Sequence, residues 1–354
     1  MLQLSKKVAS IEKSKTLLLT AIARQMRSEG IDVVGLTAGE PDFPTPEFVK
    51  QAAIRAIEEN FTKYTANEGI LELRKAIAEK LRRDNNLHFD PSQILVSCGA
   101  KHSIYNALQA ICDRGSEVII LSPYWVSYPD MVKLVDGVPR ILQVSGSNDG
   151  KVTARQLRQV ISKRTKALIF NSPCNPSGVV YSQDEIAEIA EVVEKTGIFV
   201  ISDEIYEKVI YDDVKHFSIG SVDEIRDQVI TVNGVSKAYS MTGWRIGYLG
   251  ANEEITAAAE KVQSQVTSNA SSISQRAALA ALTSSEDPTR EMVKEFKRRR
   301  DFLCRELGSI KGIECPVPLG AFYVFPNVKA LLGKSSKGKK ISTADDLSEY
   351  FLKE

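Results

Sequence analysis

The sequence predicts an α/β fold in which a sheet of seven short strands is covered by helices on both faces, accompanied by a smaller α+β domain. Three observations carry this expectation. Apolar runs recur at 93–96, 117–121, 138–144, 166–170, 198–201, 229–232 and 244–249, and several are separated by helical periodicity. Residues 1–45 and roughly 300–354 fall outside that rhythm. At 354 residues the chain also exceeds what one hydrophobic core usually covers. The division expected is a large domain over 46–300 and a small one from 1–45 and 301–354 together.

The helical starts can be read locally. Thr45-Pro46 reads as an N-cap with proline at the first helical position, where the large domain begins. Between the fourth and fifth runs, Ser182 and Glu185 form a capping box ahead of Ile186, Ile189, Ala190 and Val193 on one face. A charged helical pattern runs from Pro288 to Leu307 and leads into the small domain. Thr343 and Asp346 form another capping box, with Leu347, Tyr350 and Phe351 on one face. That last helix reaches Glu354 without a stop signal, so the rest of the small domain is expected to lie beyond this sequence.

Composition excludes several function classes. With 43% apolar and 26% charged residues this is an ordinary globular chain, and its 46 basic and 45 acidic residues leave a net charge of +1. Neither nucleic acid nor an anionic membrane is an expected partner. There is no signal-peptide core and no run near the roughly 20 apolar residues of a membrane span, so a cytoplasmic protein is expected. Cys98, Cys112, Cys174, Cys304 and Cys315 lack CxxC spacing and read as reduced small hydrophobes. His88, His102 and His216 form no paired metal signature, and no metal site is expected. The basic clusters 297–300 and 334–340 read as solvated surface, the first helical and the second a loop. No phosphate-binding GxxxxGK loop and no GxGxxG fingerprint is present.

In doubly wound sheets ligands bind beyond the carboxyl ends of the strands, so the residues following each run are the candidates. Gly99, Ala100 and Lys101 follow the first and open a helix whose N-terminal amides can approach a phosphate. Trp125 follows the second and can stack on an aromatic ring. Asn175 follows the fourth, in Asn175-Pro-Ser-Gly178, and can donate to a ring oxygen or a carboxylate. Asp203, with Tyr206 three residues on, ends the fifth; a buried carboxylate needs a cationic partner, and the protonated nitrogen of pyridoxal phosphate is one. Ser236 and Lys237 follow the sixth. Burial lowers the pKa of an amine, and a partly neutral Lys237 can attack a carbonyl to form a Schiff base. Arg245 opens the seventh run, and beside a serine it suits a phosphate dianion. Taken singly, each of these has an ordinary structural explanation; their joint order is what carries weight.

That order, with NPSG at 175–178, SDEIYE at 202–207 and SKAYSMTGWRIGY at 236–248, resembles the class I aminotransferases among the fold-type-I pyridoxal phosphate enzymes, from about Ser5 to Pro326. The resemblance implies a three-layer sandwich with a mainly parallel seven-stranded sheet. It implies Lys237 as Schiff-base lysine and proton shuttle and Asp203 on the pyridine nitrogen. Tyr206 and Asn175 would hold the ring oxygen, Trp125 would stack, and Ala100, Ser236 and Arg245 would hold the phosphate. Family enzymes are homodimers, and Tyr64 matches the tyrosine that reaches the partner subunit's phosphate. Gly39, in LTAGEPDF, matches the loop that meets the substrate carboxylate. LTAGEPDF, PYWVSYPD and MTGWRIGY look most like the prokaryote-type aspartate aminotransferases, some of which accept prephenate. Thr16 and Lys101 occupy the positions that accompany that selectivity.

The departure from the pattern is at the end, where the family's carboxylate-binding arginine has no counterpart before Glu354. A chain that ended there would be expected to bind cofactor and to transaminate poorly. The reading is an aminotransferase acting on amino acids and 2-oxo acids. The alternatives are a C–S lyase or decarboxylase of the same fold and an idle pyridoxal phosphate-binding module; the last lacks a fused DNA-binding pattern in residues 1–45.

Overall fold

The computed structural model describes residues 5–11, 15–36, 39–144, 150–336 and 338–353. Strands β1 (Ile94–Ser97), β2 (Glu117–Ser122), β3 (Val138–Gln143), β4 (Thr165–Asn171), β5 (Phe199–Asp203), β6 (Val229–Gly234) and β7 (Gly247–Gly250) form one sheet. Its order is β1-β7-β6-β5-β4-β2-β3, and β7 alone runs antiparallel to its neighbours. Each expected apolar run supplies one strand. The helices are α1 (Lys6–Ala9), α2 (Lys15–Ser28), α3 (Glu47–Glu58), α4 (Leu71–Asn85), α5 (Ala100–Ile111) and α6 (Ser127–Leu134). They continue with α7 (Ala154–Val160), α8 (Gln183–Thr196), α9 (Glu253–Val266), α10 (Ser272–Thr283), α11 (Pro288–Ser309) and α12 (Ala344–Lys353).

Side-chain alternation along the strands divides the core into layers. Val118, Ile120, Ala167 and Ile169 point to the face covered by α5, α6 and α9. Ile119, Leu168 and Phe170 point to the opposite face, under α7 and α8, and Ile94, Val96 and Tyr248 pack there on α3, α4 and α10. Strands buried on both faces must be continuous apolar runs, which is why they were visible in the sequence. The α8 capping box forms as expected, Ser182 accepting from the Glu185 amide, and Ile186, Ile189, Val192 and Val193 are buried beneath it. Each such side chain contributes roughly 1.5–3 kcal/mol. Among the described residues no helix is long and apolar enough to cross a membrane.

Three local expectations need correction. Pro46, not Thr45, sits at the N-cap of α3; the Thr45 hydroxyl instead donates to the Ser240 carbonyl (2.7 Å) and accepts from Trp244 Nε1 (3.0 Å), tying the N-terminal segment to the loop after β6. The seventh strand starts at Gly247 and not at residue 244, because residues 242–244 form a 3-10 turn and Arg245 is left-handed (φ 57°). In the 297–300 cluster, Arg300 is only 6% exposed. Its guanidinium donates to Asp212, Asp301 and the Pro318 carbonyl and stacks on Tyr211, so it clamps α11 to the following segment.

β7 can lie between β1 and β6 because Gly247 is bare. A Cβ there would overlap the Ala100 amide nitrogen and the Gly99 carbonyl carbon, backbone atoms that cannot give way. Gly247→Ala is therefore expected to cost about 3 kcal/mol or more. Gly197→Ala, at a left-handed helix end with open space around it, should cost only about 1 kcal/mol. Urea midpoints of the two variants check this, and equal losses would contradict it.

Candidate active site

The sheet register assembles one rim. Ser97 and Gly234 both pair with Gly247, while Asp203 pairs with Asn171 on one side and Val232 on the other. The carboxyl ends of β1, β4, β5 and β6 are thus level. Because β7 is antiparallel, its start lies at the same rim, which brings Arg245 to residues that follow the parallel strands.

A cup for an anion lies at the β1–α5 turn. Gly99 (φ 90°) precedes α5; its carbonyl accepts from the His102 and Ser103 amides, and the amides of Ala100 and Lys101 are the ones at the helix start without an intrahelical partner. A Cβ on Gly99 would overlap the Arg245 guanidinium. That guanidinium is oriented by the Thr242 carbonyl (2.7 Å) and the Cys98 carbonyl (3.3 Å). Left-handed backbone at Arg245 turns its side chain back toward Gly99, a conformation no sequence pattern announced. Ser236 is buried beside Lys237 at the end of β6. A helix N-terminus, a bare glycine and a guanidinium together suit a phosphate dianion.

Asp203 is 4% exposed. Burial pushes its carboxyl up to about 6, against the Tyr128 hydroxyl that donates to Oδ2 (2.7 Å) and the Ile205 amide that donates to Oδ1 (3.3 Å). Among the described residues no cation is hydrogen-bonded to it, so its donor set fits a protonated ring nitrogen. Tyr206 shares a 2.5 Å hydrogen bond with Tyr323, whose hydroxyl also accepts from Asn175 Nδ2 at 3.5 Å. Asn171 joins the two strands by donating to the Asp203 carbonyl (2.8 Å) and accepting from the Asn175 amide (2.8 Å).

Lys237 faces this group. Its Nζ donates to the Gly39 carbonyl and lies 5.7 Å from the Tyr206 ring centre and 5.6 Å from that of Phe322. Burial lowers its pKa to about 8, and Glu40 and Asp203 only partly oppose that shift. Gly39 is itself held close, since a Cβ there would overlap the Tyr323 hydroxyl.

The other expected residues are distributed as follows. Lys101 lies with its Nζ 4.7 Å over the Trp125 ring, and burial together with Arg245 lowers its pKa. Trp125 also meets Tyr128 edge-on at 5.4 Å. Tyr64 is 91% exposed, and within one chain nothing brings it to the rim. The Thr16 side chain lies outside the described residues. A surface cavity of about 530 Å³ between α4 and α11 is lined by Arg83, Lys208, Glu286, Asp287 and Arg290, with mixed charge and none of the rim residues.

Sequence reasoning missed Tyr128, Asn171, Phe322 and Tyr323. Tyr128 sits inside PYWVSYPD, three residues after Trp125, and Asn171 directly follows the fourth apolar run, four residues before Asn175. Tyr323 is distant in sequence and carried no signal. Also missed was the support behind Asp203. Glu204 accepts from Ser202 (2.8 Å), Ser218 (2.6 Å), His216 (2.9 Å) and Asn85 (3.1 Å), while Glu207 accepts from Lys80 and Asn85 (2.5 Å). Burial alone would lower the His216 pKa, but Glu204 and Glu207 raise it. Glu204, Glu207 and His216 bring potential metal-ligand atoms within 4.8 Å of one another, and Lys80 and Asn85 already serve those carboxylates.

The model of the class I and II aminotransferase family matches residues 31–354. The chain is 43% identical to an aspartate aminotransferase of Bacillus sp. (strain YM-2), covering 99% of this chain and 89% of that one. It is 45% identical to an aspartate/prephenate aminotransferase of Cereibacter sphaeroides, covering 97% and 86%. Among solved structures, an aspartate aminotransferase from Rhizobium meliloti superposes with a TM-score of 0.95 at 43% identity, covering 100% and 89%. One from Thermus thermophilus with maleate has a TM-score of 0.90 at 40% identity, covering 98% and 93%.

Three measurements test this geometry. Tyr128→Phe removes a donor to the charged carboxylate and should raise the Asp203 pKa by about one unit, read by carbon NMR of the carboxyl; an unmoved value would show that the hydroxyl does not hold it. Glu207→Gln takes from buried Lys80 its hydrogen-bonded carboxylate, leaving only the Asp84 carboxylate at 4.0 Å, and should cost about 3 kcal/mol, most of it recovered in Lys80→Met/Glu207→Leu. Lys237 binds its proton less tightly folded (about 8) than unfolded (ordinary value 10.5). Its penalty is therefore complete below pH 8 and fades as pH rises to 10.5. Cofactor-free protein should gain stability over that window, and Lys237→Met should remove that part of the gain in denaturation curves.

Proposed function

The chain belongs to the class I and II aminotransferases, and from that premise we propose that it moves the amino group between aspartate or glutamate and a 2-oxo acid. Oxaloacetate and 2-oxoglutarate are the acceptors proposed, with prephenate, giving arogenate, as a further one. The observation that carries the reading is the pairing of Lys237, an amine lowered to about 8, with Asp203, a carboxyl raised to about 6, across a rim that also holds an anion cup. The family implies pyridoxal phosphate. Bound here, that cofactor supplies an aldehyde for condensation with amines and a ring that accepts the electron pair released at the substrate Cα.

The chain's residues have distinct tasks in this reading. Gly99, Ala100, Ser236 and Arg245 hold the phosphate. Asp203, kept in place by Tyr128, carries the negative charge that keeps a ring nitrogen protonated. Tyr206 and Asn175 hold the ring oxygen and Trp125 covers the ring. Lys237 Nζ, uncharged in a useful fraction near pH 8, would anchor the aldehyde and, once a substrate amine has displaced it, would move a proton between Cα and C4′. Lys101 places a cation beside the cup for a distal carboxylate, and the structural relative with bound maleate supports a dicarboxylate preference. Thr16 is the second residue proposed for that preference.

A homodimer is proposed on the same footing, its support being the exposure of Tyr64, which suits a residue that reaches across to a second copy. Assigning 1–45 and 301–354 to one small domain draws support from Gly39 and Tyr323, which converge on the site from opposite chain ends and pack so closely that a Cβ on Gly39 would overlap the Tyr323 hydroxyl.

The experiment mixes the protein, pyridoxal phosphate and aspartate or glutamate, and follows both conversion to the pyridoxamine form by absorbance and release of 2-oxo acid. Both should occur, and Lys237→Ala should lose at least about a thousandfold in rate. Spectral change without 2-oxo acid would sink the aminotransferase reading. Exchanging oxaloacetate for prephenate as acceptor separates the two substrate assignments.

A further inference from the structure

Of the five cysteines, two meet. The Sγ atoms of Cys304 and Cys315, eleven positions apart in the chain, lie 3.9 Å from one another. Cys304 is buried on α11, one turn beyond Arg300, whereas Cys315 is partly exposed on the segment that leaves that helix. Both sides of the pair are anchored. Arg300 binds the Pro318 carbonyl (3.1 Å) and Asp212, and Glu314 exchanges two backbone hydrogen bonds with Asn327 (2.7 and 3.2 Å). The sulfurs are therefore held face to face by structure on either flank, and a bond needs them to approach by about 2 Å, within reach of side-chain rotation.

We propose that Cys304 and Cys315 form a reversible disulfide, a redox modification site separate from the aminotransferase chemistry. The oxidant assigned is a peroxide. The Cys315 thiolate attacks one peroxide oxygen and breaks the O–O bond, becoming a sulfenic acid as one water leaves. The Cys304 sulfur then attacks the Cys315 sulfur, the S–O bond breaks, and a second water departs with the Cys304 proton. Two thiols are oxidised by two electrons and one peroxide is reduced. Exposure decides the order: Cys315 meets the oxidant, while burial and the neighbouring Cys315 push the Cys304 thiol up to about 11, so it acts second, aided by proximity and by the Arg300 cation.

The bond would close a loop between α11, which carries Phe296 and Arg299, and the segment running on to Phe322 and Tyr323 at the rim. Phe296 and Phe322 already stack at 5.1 Å, so the oxidised form joins covalently two elements that frame the site.

The test treats the full chain with hydrogen peroxide, quenches with acid, alkylates, and maps the peptides by mass spectrometry. Titratable thiols should fall from five to three, with one linked peptide pair joining Cys304 to Cys315 and lighter by two hydrogens. Dithiothreitol should restore all five. Cys315→Ser, at the more exposed partner, should retain all four of its thiols under the same exposure. Five thiols persisting in the native chain, a linkage between any other pair, or Cys315 carried to sulfinic acid beside a free Cys304 would each overturn the proposal. None of these readouts depends on transaminase activity, so the result stands apart from the functional reading.

Discussion

The turn from Asp203 to Glu207 is the constraint on which the site depends. Its residues alternate in direction: Asp203 and Tyr206 face the rim, while Glu204 and Glu207 face α4 and the 216–218 segment. A buried carboxylate is tolerated only when its lone pairs are met, and here two are met on the far side by Lys80, Asn85, His216 and two serines. Two anions and the Lys80 cation, joined by a His216 whose charged form is favoured, nearly cancel. That near-neutral block lets the turn carry a third carboxylate, Asp203, toward the site with few donors of its own. Rigidity on one face of the turn is what makes a sparsely satisfied group possible on the other.

The same burial acts in opposite senses on the two central groups. It disfavours charge on both Asp203 and Lys237, raising one to about 6 and lowering the other to about 8. Each then titrates within reach of neutral pH, where proton transfer is most effective. The anion cup is built differently, from groups whose charge is permanent or whose dipoles are fixed by backbone: the Arg245 guanidinium and the start of α5. In the proposed function, tunable groups lie where protons would move, and fixed ones where only an anion would be held.

Much of this was legible because a sheet buried on both faces forces long apolar runs, and ligands gather where those runs end. The residues after each run are therefore in place, in order, in the sequence itself. Capping boxes at Ser182 and Thr343 were equally legible, since a cap is satisfied within four residues of itself. Thr45 misled for the complementary reason: its hydroxyl is satisfied by Ser240 and Trp244, nearly two hundred residues away. Arg300 misled in a related way, as a residue in a basic cluster that, besides the adjacent Asp301, is held by Asp212, Tyr211 and the Pro318 carbonyl on other segments.

By itself the sequence determined the strands, their order along the chain, and which side chains stand at their carboxyl ends, all properties of local pattern and polarity. Tertiary structure alone decided that β7 turns over and brings Arg245 to Gly99, that Tyr128 and Tyr323 hold Asp203 and Tyr206, and that Lys80 reaches Glu207. Those are pairings between distant segments. They depend on sheet register, on a bare glycine at 247 and on charges that must find partners in the interior, and none of these leaves a periodic trace in the chain.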